Sequence, residues 1–209
     1  METEDMLMGH HVQLEPLGNR HTEGLIAAAA MDTRLYTWSP VPQGREEVEK
    51  YIQTAADWRS AGSALPYAIV RVKDGMVLGS TRFFNLERWA WPPDHPRRSR
   101  PFPDAGEIGY TWLTASAIRT AANTEAKLLL LTLAFEKWEA FRICLHADVR
   151  NERSRRAIER IGGKFEAVLR SHRLAIDNIP RDSARYSIVL SEWPDVKQRL
   201  EKLLDRSAK

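Results

Sequence analysis

The stretch Glu107-Ile108-Gly109-Tyr110-Thr111-Trp112-Leu113, with Ile118-Arg119-Thr120-Ala121-Ala122-Asn123 after it, decides the fold. Its first part is rich in β-forming residues and predicts a strand, and its second part leads into an apolar helix over Thr124–Glu139. Asn123 is a predicted N-cap for that helix. Backbone N–H groups at such a helix start, beside a sheet, suit a pyrophosphate, and Arg119 would add a contact. Many turns of this kind bind nothing, so a purely structural role stays open.

The segments before this stretch show the periodicities of strands and helices. A strand is predicted over His11–Leu17. A helix that follows Asn19 and runs through Ala30 is predicted next, and then an amphipathic helix over Glu46–Ala61. The sequence Asp74-Gly75 predicts a hairpin turn. The two strands that this turn joins are Leu65–Val72 and Val77–Phe84.

The remaining segments complete a mixed α/β pattern. They are a strand at Ile143–Val149, a helix at Asn151–Ile161, a strand pair at Phe165–Ala175 and Arg185–Leu190, and a helix at Glu192–Asp205. Residues 89–105 hold five prolines and the cluster Arg97-Arg98-Ser99-Arg100, which predicts an exposed, partly mobile loop insertion. The order predicts an α/β fold in one domain over residues 1–209: a mixed central sheet of about seven strands flanked by helices, with an extra C-terminal helix.

Composition narrows the class of protein. Hydrophobic residues make up 43% and charged residues 28%, as in a folded globular chain. The formal charge is only +3, so a nucleic-acid partner is not expected. The lone Cys144 excludes an internal disulfide, and no apolar run reaches the roughly 20 residues that span a bilayer. Because the acidic start Met1–Asp5 lacks a basic n-region, we expect a cytoplasmic protein without a membrane partner.

Several motifs together resemble the GNAT N-acetyltransferase superfamily, in the branch typified by the ribosomal-protein N-terminal acetyltransferases. They are Glu107-Ile108-Gly109-Tyr110, Ile118–Ala126, Asn151–Arg155 with Ile161-Gly162, and the ending Tyr186–Leu190 before Glu192-Trp193-Pro194. The resemblance covers nearly the whole chain and implies acetyl-CoA as co-substrate. The family's coenzyme A turn carries a Gln or Arg and two small residues, usually glycines. These positions fall here on Ile118, Ala121 and Asn123, so both glycines are replaced.

The resemblance also implies roles for individual residues. The expected coenzyme A contacts are Trp112, Leu113, Ile118, Arg119, Thr120, Ala121, Ala122, Asn123, Thr124, Asn151, Ser154 and Arg155. Trp112 and Leu113 would supply backbone N–H groups to the oxyanion, Arg155 would pair with the 3′-phosphate, and Ser154 would protonate the leaving thiolate. Asn151 is equally an ordinary N-cap. Trp38, Arg82 and Tyr186 are expected in the acceptor pocket, although core or surface packing would also explain them.

Glu107 is the predicted base, because a carboxylate there can relay an amine proton through water. The alternative is a solvent-facing glutamate at a strand end. A free α-amino group, with a pKa of about 7.7–8.0, needs less help from a base than lysine at about 10.4. The histidines lack paired ligand spacing, so no metal site is predicted.

These features predict an enzyme that transfers an acetyl group from acetyl-CoA to a primary amine, the α-amino group of a protein or peptide being favoured. Small-molecule amines or amino acids are the first alternative. A non-catalytic acyl-CoA-binding protein is another, because the turn lacks glycines. The acceptor amine is the expected partner, and a homodimer is compatible with the sequence.

Overall fold

The computed structural model describes residues 6–207, so the acidic start Met1–Asp5 lies outside the described residues. The strands are β1 Leu7–Met8, β2 Val12–Pro16, β3 Ala64–Arg71, β4 Val77–Glu87, β5 Ala105–Leu113, β6 Arg142–Asp148, β7 Lys164–Leu174 and β8 Pro180–Val189. The helices are α1 Thr22–Ala30, α2 Gly44–Ser60, α3 Ala122–Thr132, α4 Glu152–Arg160 and α5 Trp193–Ser207. This order confirms the predicted α/β class with a C-terminal helix.

All the described strands join one sheet in the order β1-β2-β3-β4-β5-β6-β8-β7, which makes eight strands where about seven were predicted. The additional strand is β1, which pairs with β2 through Leu7 and Leu14. Two residues are too few for an alternating hydrophobic pattern, so no periodicity marked this strand in advance. The β3–β4 hairpin forms as predicted, and Gly75 in its turn has φ +72°, a backbone conformation that glycine adopts without strain.

Helices cover both faces of the sheet. One face packs against α1 and α2, with Leu25, Val48, Ile52 and Trp112 in the buried cluster. The other packs against α3 and α5 through the second cluster, which includes Phe83, Leu130, Ile143 and Leu200. The predicted central position of α3 is confirmed, because Ala126, Leu130, Leu131 and Ala134 are fully buried. Its last turn widens to a π-helix over Leu133–Lys137.

The proline-rich insertion, predicted over residues 89–105, lies between the end of β4 at Glu87 and the start of β5 at Ala105. Asp104 holds the loop through the backbone N–H of Trp89 (2.8 Å) and the indole N–H of Trp91 (3.0 Å). The charge cluster is also engaged: Arg97 and Arg100 both pair with Glu139 at the end of the α3 segment. Two of its arginines therefore fasten the loop to the fold.

The parallel neighbours β5 and β6 separate part-way along their length. They pair from Ala105↔Arg142 to Glu107↔Cys144, after which β5 continues to Leu113 and β6 to Asp148 with no further pairing between these two described strands. Tyr110, with φ +51°, lies in an irregular part of the β4–β5 register. Because parallel strands end at the same sheet edge, the helix starts that follow them, α3 and α4, flank one cleft. No helix within residues 6–207 is long and apolar enough to cross a membrane.

Candidate active site

The turn before α3 has the geometry of an anion site without needing glycine. Ala121 has φ −62°, an ordinary right-handed conformation, so its side chain causes no strain. The residue of the turn with positive φ is Arg119, at +61°, and its side chain is exposed. The replacement of both family glycines therefore does not distort the backbone.

Asn123 is not the N-cap of α3, contrary to the prediction. The helix begins one residue earlier, at Ala122, with Ala121 as a cap that makes no side-chain bond. The Thr120 hydroxyl instead accepts from the Ala122 N–H (3.2 Å) and donates to the Ala117 carbonyl (2.8 Å). The first N–H groups of a helix have no acceptor within the helix, so the remaining N–H groups of this turn are available to a ligand.

A basic residue that the sequence did not single out also reaches this turn. Arg160, at the end of α4, donates from Nη2 to the Thr124 hydroxyl (3.0 Å), and Thr124 is buried. The side chain is half-buried, so its charge is brought to the positive end of α3. Two guanidinium groups, those of Arg119 and Arg160, thus belong to the turn or touch it.

The start of α4 forms the opposite side of the cleft. Asn151 is its N-cap, as predicted, and accepts from the Ser154 N–H (3.1 Å). The Ser154 hydroxyl makes no hydrogen bond to another described residue. Arg155 is engaged within the fold, donating to the Tyr186 hydroxyl (3.2 Å) and the Val149 carbonyl (3.3 Å).

Glu107 lies at the last β5–β6 pair, where the strands begin to separate, and it is only 5% exposed. The alternative of a solvent-facing glutamate is therefore wrong. Its carboxylate accepts from His146 Nδ1 (2.8 Å), Arg173 Nη2 (3.1 Å) and Asn85 Nδ2 (3.0 Å). Burial would raise the pKa of this carboxyl, but the hydrogen bond and charge of His146, then Arg173 and Asn85, hold it below its usual value. Glu107 is therefore an ionised group whose two oxygens are already engaged.

His146 is a buried polar residue of the cleft that the sequence did not identify. It lies on the part of β6 that no longer pairs with β5, and its side chain is 7% exposed. Nδ1 contacts Glu107, whereas Nε2 is buried without a hydrogen-bond partner among the described residues. The alternation of β6 placed His146 on one face with Cys144, but nothing in the sequence indicated that Glu107 would lie there.

Arg82 lies on the same face of the sheet, inside a group of aromatic rings. Its Cζ is 4.7 Å from the ring centre of Tyr51, 5.2 Å from Trp58 and 4.3 Å from Tyr110. The residue is 1% exposed, and its Nε and Nη2 have no hydrogen-bond partner in the described part of the chain. Cation–π contacts stabilise the charge, but two buried donors remain unsatisfied.

Side-chain contacts connect Arg82 with Glu107. The Tyr110 ring contacts both the Arg82 guanidinium and the Phe84 ring, whose centre is 5.2 Å from that of Tyr110. The guanidinium of Arg173 lies 5.3 Å from the Phe84 ring centre and is ion-paired with Glu107. The predicted base and this predicted acceptor residue therefore belong to one connected group of side chains.

The other two predicted acceptor residues lie elsewhere. Trp38 packs against Arg150, near the carboxyl end of β6. The Cζ atom of Arg150 lies 4.2 Å from the centre of the Trp38 ring. Tyr186 is fully buried in the cluster on the α3 side and donates to Glu159 (3.0 Å). Its partner across the β6–β8 pair is Leu145, and both side chains point to the α3 side of the sheet. His146 and Arg82 point to the opposite side, because neighbouring residues of a strand alternate between faces. Tyr186 therefore has the contacts of a core residue.

Trp112 and Leu113 lie on the part of β5 that borders the cleft, and both are buried. The Trp112 indole faces the α1–α2 side and meets the Tyr36 ring edge-on, with ring centres 6.0 Å apart. The Leu113 carbonyl accepts from the Tyr36 hydroxyl (3.1 Å), so the strand end is fixed. Both side chains pack within the fold, and the predicted oxyanion contact concerns backbone N–H groups of this strand end. The described residues contain no group of three or more His, Cys, Asp or Glu placed to hold a metal ion.

The sequence of this chain matches a known protein family. Residues 11–164 match the acetyltransferase (GNAT) domain, which is well over half of the chain. The protein belongs to the GNAT acetyltransferase family. It is accordingly an acetyl-CoA-dependent N-acetyltransferase, and the alternative of a protein without transferase activity is set aside.

Individual relatives cover nearly the whole chain. YdaF of Bacillus subtilis, named as a candidate ribosomal N-acetyltransferase, is 28% identical over 193 residues, which span 91% of this chain and 97% of YdaF. A candidate acetyltransferase from T. thermophilus is 32% identical, with a TM-score of 0.77 and coverage of 98% and 99%. A GCN5-related N-acetyltransferase from Brucella melitensis is 28% identical, with a TM-score of 0.81 and coverage of 97% and 86%. The predicted branch resemblance is confirmed by these similarities.

Proposed function

We propose that this acetyltransferase transfers the acetyl group to the α-amino group of a protein or peptide. The observation that carries the proposal is the separation of β5 from β6 at Glu107, with helix starts at one edge and a buried carboxylate–imidazole pair within the cleft. An acyl thioester entering between the strands would meet an amine from the α2 side. The similarity to YdaF supports a protein acceptor.

The co-substrate fits the residues at the edge of the cleft. The turn Ile118–Asn123 supplies the N–H groups of the α3 start to the pyrophosphate, and Arg119 and Arg160 add positive charge. Asn151 and Ser154 border the pantetheine arm at the start of α4. The backbone N–H groups around Trp112 and Leu113 lie on the strand end that would face the thioester oxygen.

The weak basicity of the groups in the cleft favours an α-amino acceptor. Glu107 has a pKa below its usual value, which makes its carboxylate a weak base. An α-amino group at about 7.7–8.0 is partly neutral near neutral pH, whereas a lysine at about 10.4 is almost fully protonated. A site with such bases suits the first amine better.

Arg82 favours a second candidate acceptor, a free amino acid. Its buried, unsatisfied guanidinium N–H groups lie on the acceptor face, and a carboxylate is their natural partner. An amino acid presents such a carboxylate close to its amine. A peptide N-terminus offers only a carbonyl oxygen at that distance, which would still satisfy one donor.

An acceptor screen with acetyl-CoA separates the two candidates. We expect thiol release with peptides that carry a free N-terminus, and no release with the same peptides blocked at the N-terminus but containing lysine. Free amino acids and their methyl esters complete the set, since only the former carry the carboxylate. Turnover of lysine side chains alone would contradict the proposed acceptor, and a strong preference for free acids over esters and peptides would favour the second candidate.

Ser154 is proposed to donate a hydrogen bond from its hydroxyl to the leaving sulfur at the start of α4. Ser154→Ala should therefore lower kcat about tenfold, with a smaller change in KM for acetyl-CoA, because the hydrogen bond strengthens as charge develops on sulfur. Steady-state kinetics measure both constants. Ser171→Ala, on the exposed part of β7, is the matched control, and unchanged turnover in Ser154→Ala would remove the serine from the mechanism.

A further inference from the structure

In the hydrogen bond between Glu107 and His146, the imidazole is the donor and the carboxylate is the acceptor. The Glu107 carboxyl has a pKa below its usual value, so it is ionised near neutral pH and can only accept hydrogen bonds. His146 Nδ1, at 2.8 Å, must therefore carry the proton of that contact. A neutral imidazole has one N–H only, so Nε2 then holds a free lone pair. This assigns the tautomer from charge and distance.

The surroundings of His146 Nε2 leave its lone pair free to accept a proton. It is buried, with no hydrogen-bond partner among residues 6–207, on the stretch of β6 where the pairing to β5 has ended. A buried polar atom without a partner is costly, so its persistence at a cleft indicates a role there. Glu107 itself is poorly suited to take a proton, because His146, Arg173 and Asn85 already donate to both of its oxygens.

We propose that His146 Nε2 takes the proton of the acceptor amine, while Glu107 holds the imidazole in the required tautomer. The inference rests on the proposed transfer to an amine. The amine nitrogen forms a bond to the thioester carbon, and the carbon–sulfur bond breaks with its electron pair leaving on sulfur. The amine proton moves to Nε2 and gives an imidazolium that faces the Glu107 carboxylate. That proton then passes to solvent, and the thiolate of coenzyme A is released.

Several charged groups surround this imidazole. Glu107 contacts it from β5, His172 lies beside it on β7, and Arg185 is its register partner on β8. Arg173 and Arg181 act on the neighbouring Glu107 and His172. Burial, followed by the charges of Arg173 and His146, lowers the pKa of His172, whose ring centre is 5.1 Å from that of His146. The Glu107 carboxylate, 2.8 Å from Nδ1, would stabilise the imidazolium formed during transfer. Glu107 is thus a positioning residue.

The test has one readout that requires turnover and one that does not. In the first, the pH dependence of kcat/KM is measured with a peptide acceptor. Wild-type activity should fall at acidic pH, where the base that accepts the amine proton is already protonated. His146→Gln should lower kcat at least about a hundredfold and remove this acid limb. Glu107→Gln should keep an acid limb displaced to lower pH, because the carboxylate no longer stabilises the imidazolium.

The second readout is the tautomer, measured by NMR on protein labelled at the histidine ring nitrogens. We expect His146 to carry its proton on Nδ1 in the wild type and to lose that preference in Glu107→Gln. A proton on Nε2 would overturn the inference even if no acceptor were turned over, whereas absence of transfer with a correct tautomer would count against the proposed acceptor class. An acid limb that persists in His146→Gln would overturn it as well.

A second histidine–glutamate pair provides the matched control. His21 is 4% exposed at its side chain and contacts Glu15 at 3.1 Å, at the start of α1. His21→Gln removes a histidine–glutamate contact of the same kind and should cost comparable stability. It should leave the pH profile of transfer unchanged, so a changed profile in His146→Gln alone separates proton transfer from loss of folding.

Discussion

Glu125→Ala should lower the free energy of unfolding by about 4 kcal/mol or more, because it leaves three backbone N–H groups without an acceptor. Glu125, in the first turn of α3, is 3% exposed. Its carboxylate accepts from the N–H groups of His10 (2.9 Å), His11 (2.7 Å) and Val12 (2.7 Å). These contacts join the turn between β1 and β2 to the helix that begins at the coenzyme A turn. Urea unfolding followed by circular dichroism measures the loss.

The matched control is Glu152→Ala. Glu152 also lies in the first turn of a helix, but its side chain is 70% exposed and pairs with the exposed Arg156. Surface pairs of this kind contribute roughly 0–1 kcal/mol, so the control should remain close to the wild type. Glu125→Gln should fall between the two, because its amide oxygen still accepts while its amide N–H groups meet other donors. A loss below about 1 kcal/mol in Glu125→Ala would contradict the structural role.

The fold was largely predictable because its elements have local signals. Asp74-Gly75 marks the hairpin, and the apolar surface of Ala122–Thr132 marks the central helix. The errors concern a strand with too weak a sequence signal and a helix start where two neighbouring residues were suitable. β1 is too short for periodicity, and the N-cap moved from Asn123 because the Thr120 hydroxyl already accepts from the Ala122 N–H.

The candidate site was predictable only where its residues follow a strand into a helix. Asn151 is such a residue, and its N-cap role could be predicted from its position alone. The partners of Glu107 could not be predicted in this way. They depend on the parallel register Glu107↔Cys144 and on an irregular stretch of β7 that places Arg173 beside Glu107. Register between strands far apart in the chain has no local signal, so His146 also remained unnoticed.

Lys127→Met should raise the free energy of unfolding by about 3 kcal/mol at pH 6. Lys127 is buried on α3, and burial lowers the pKa of its ammonium from 10.5 to about 7. A pKa shift of this size means that keeping Lys127 charged in the folded state at pH 6 costs up to roughly 5 kcal/mol of stability. The expected gain is smaller, because the variant also loses the hydrogen bonds of the ammonium. Its Nζ donates to the hydroxyls of Thr111 (2.6 Å) and Thr81 (3.3 Å). These hydroxyls lie 2.8 Å apart and can bond to each other in the variant.

The dependence on pH identifies the cause of this stabilisation. Between pH 7 and 10.5 the unfolded chain retains the lysine proton that the folded chain has lost, so wild-type stability gains from rising pH in this window. The advantage of Lys127→Met should therefore be constant below pH 7 and shrink towards pH 10. Urea unfolding at pH 6, 8 and 9.5 tests this, with the exposed Lys50→Met on α2 expected to stay within about 0.5 kcal/mol throughout. Destabilisation by Lys127→Met at pH 6 would instead mean that the two threonines stabilise the ammonium, and that Lys127 is a charged part of the core beneath the coenzyme A turn.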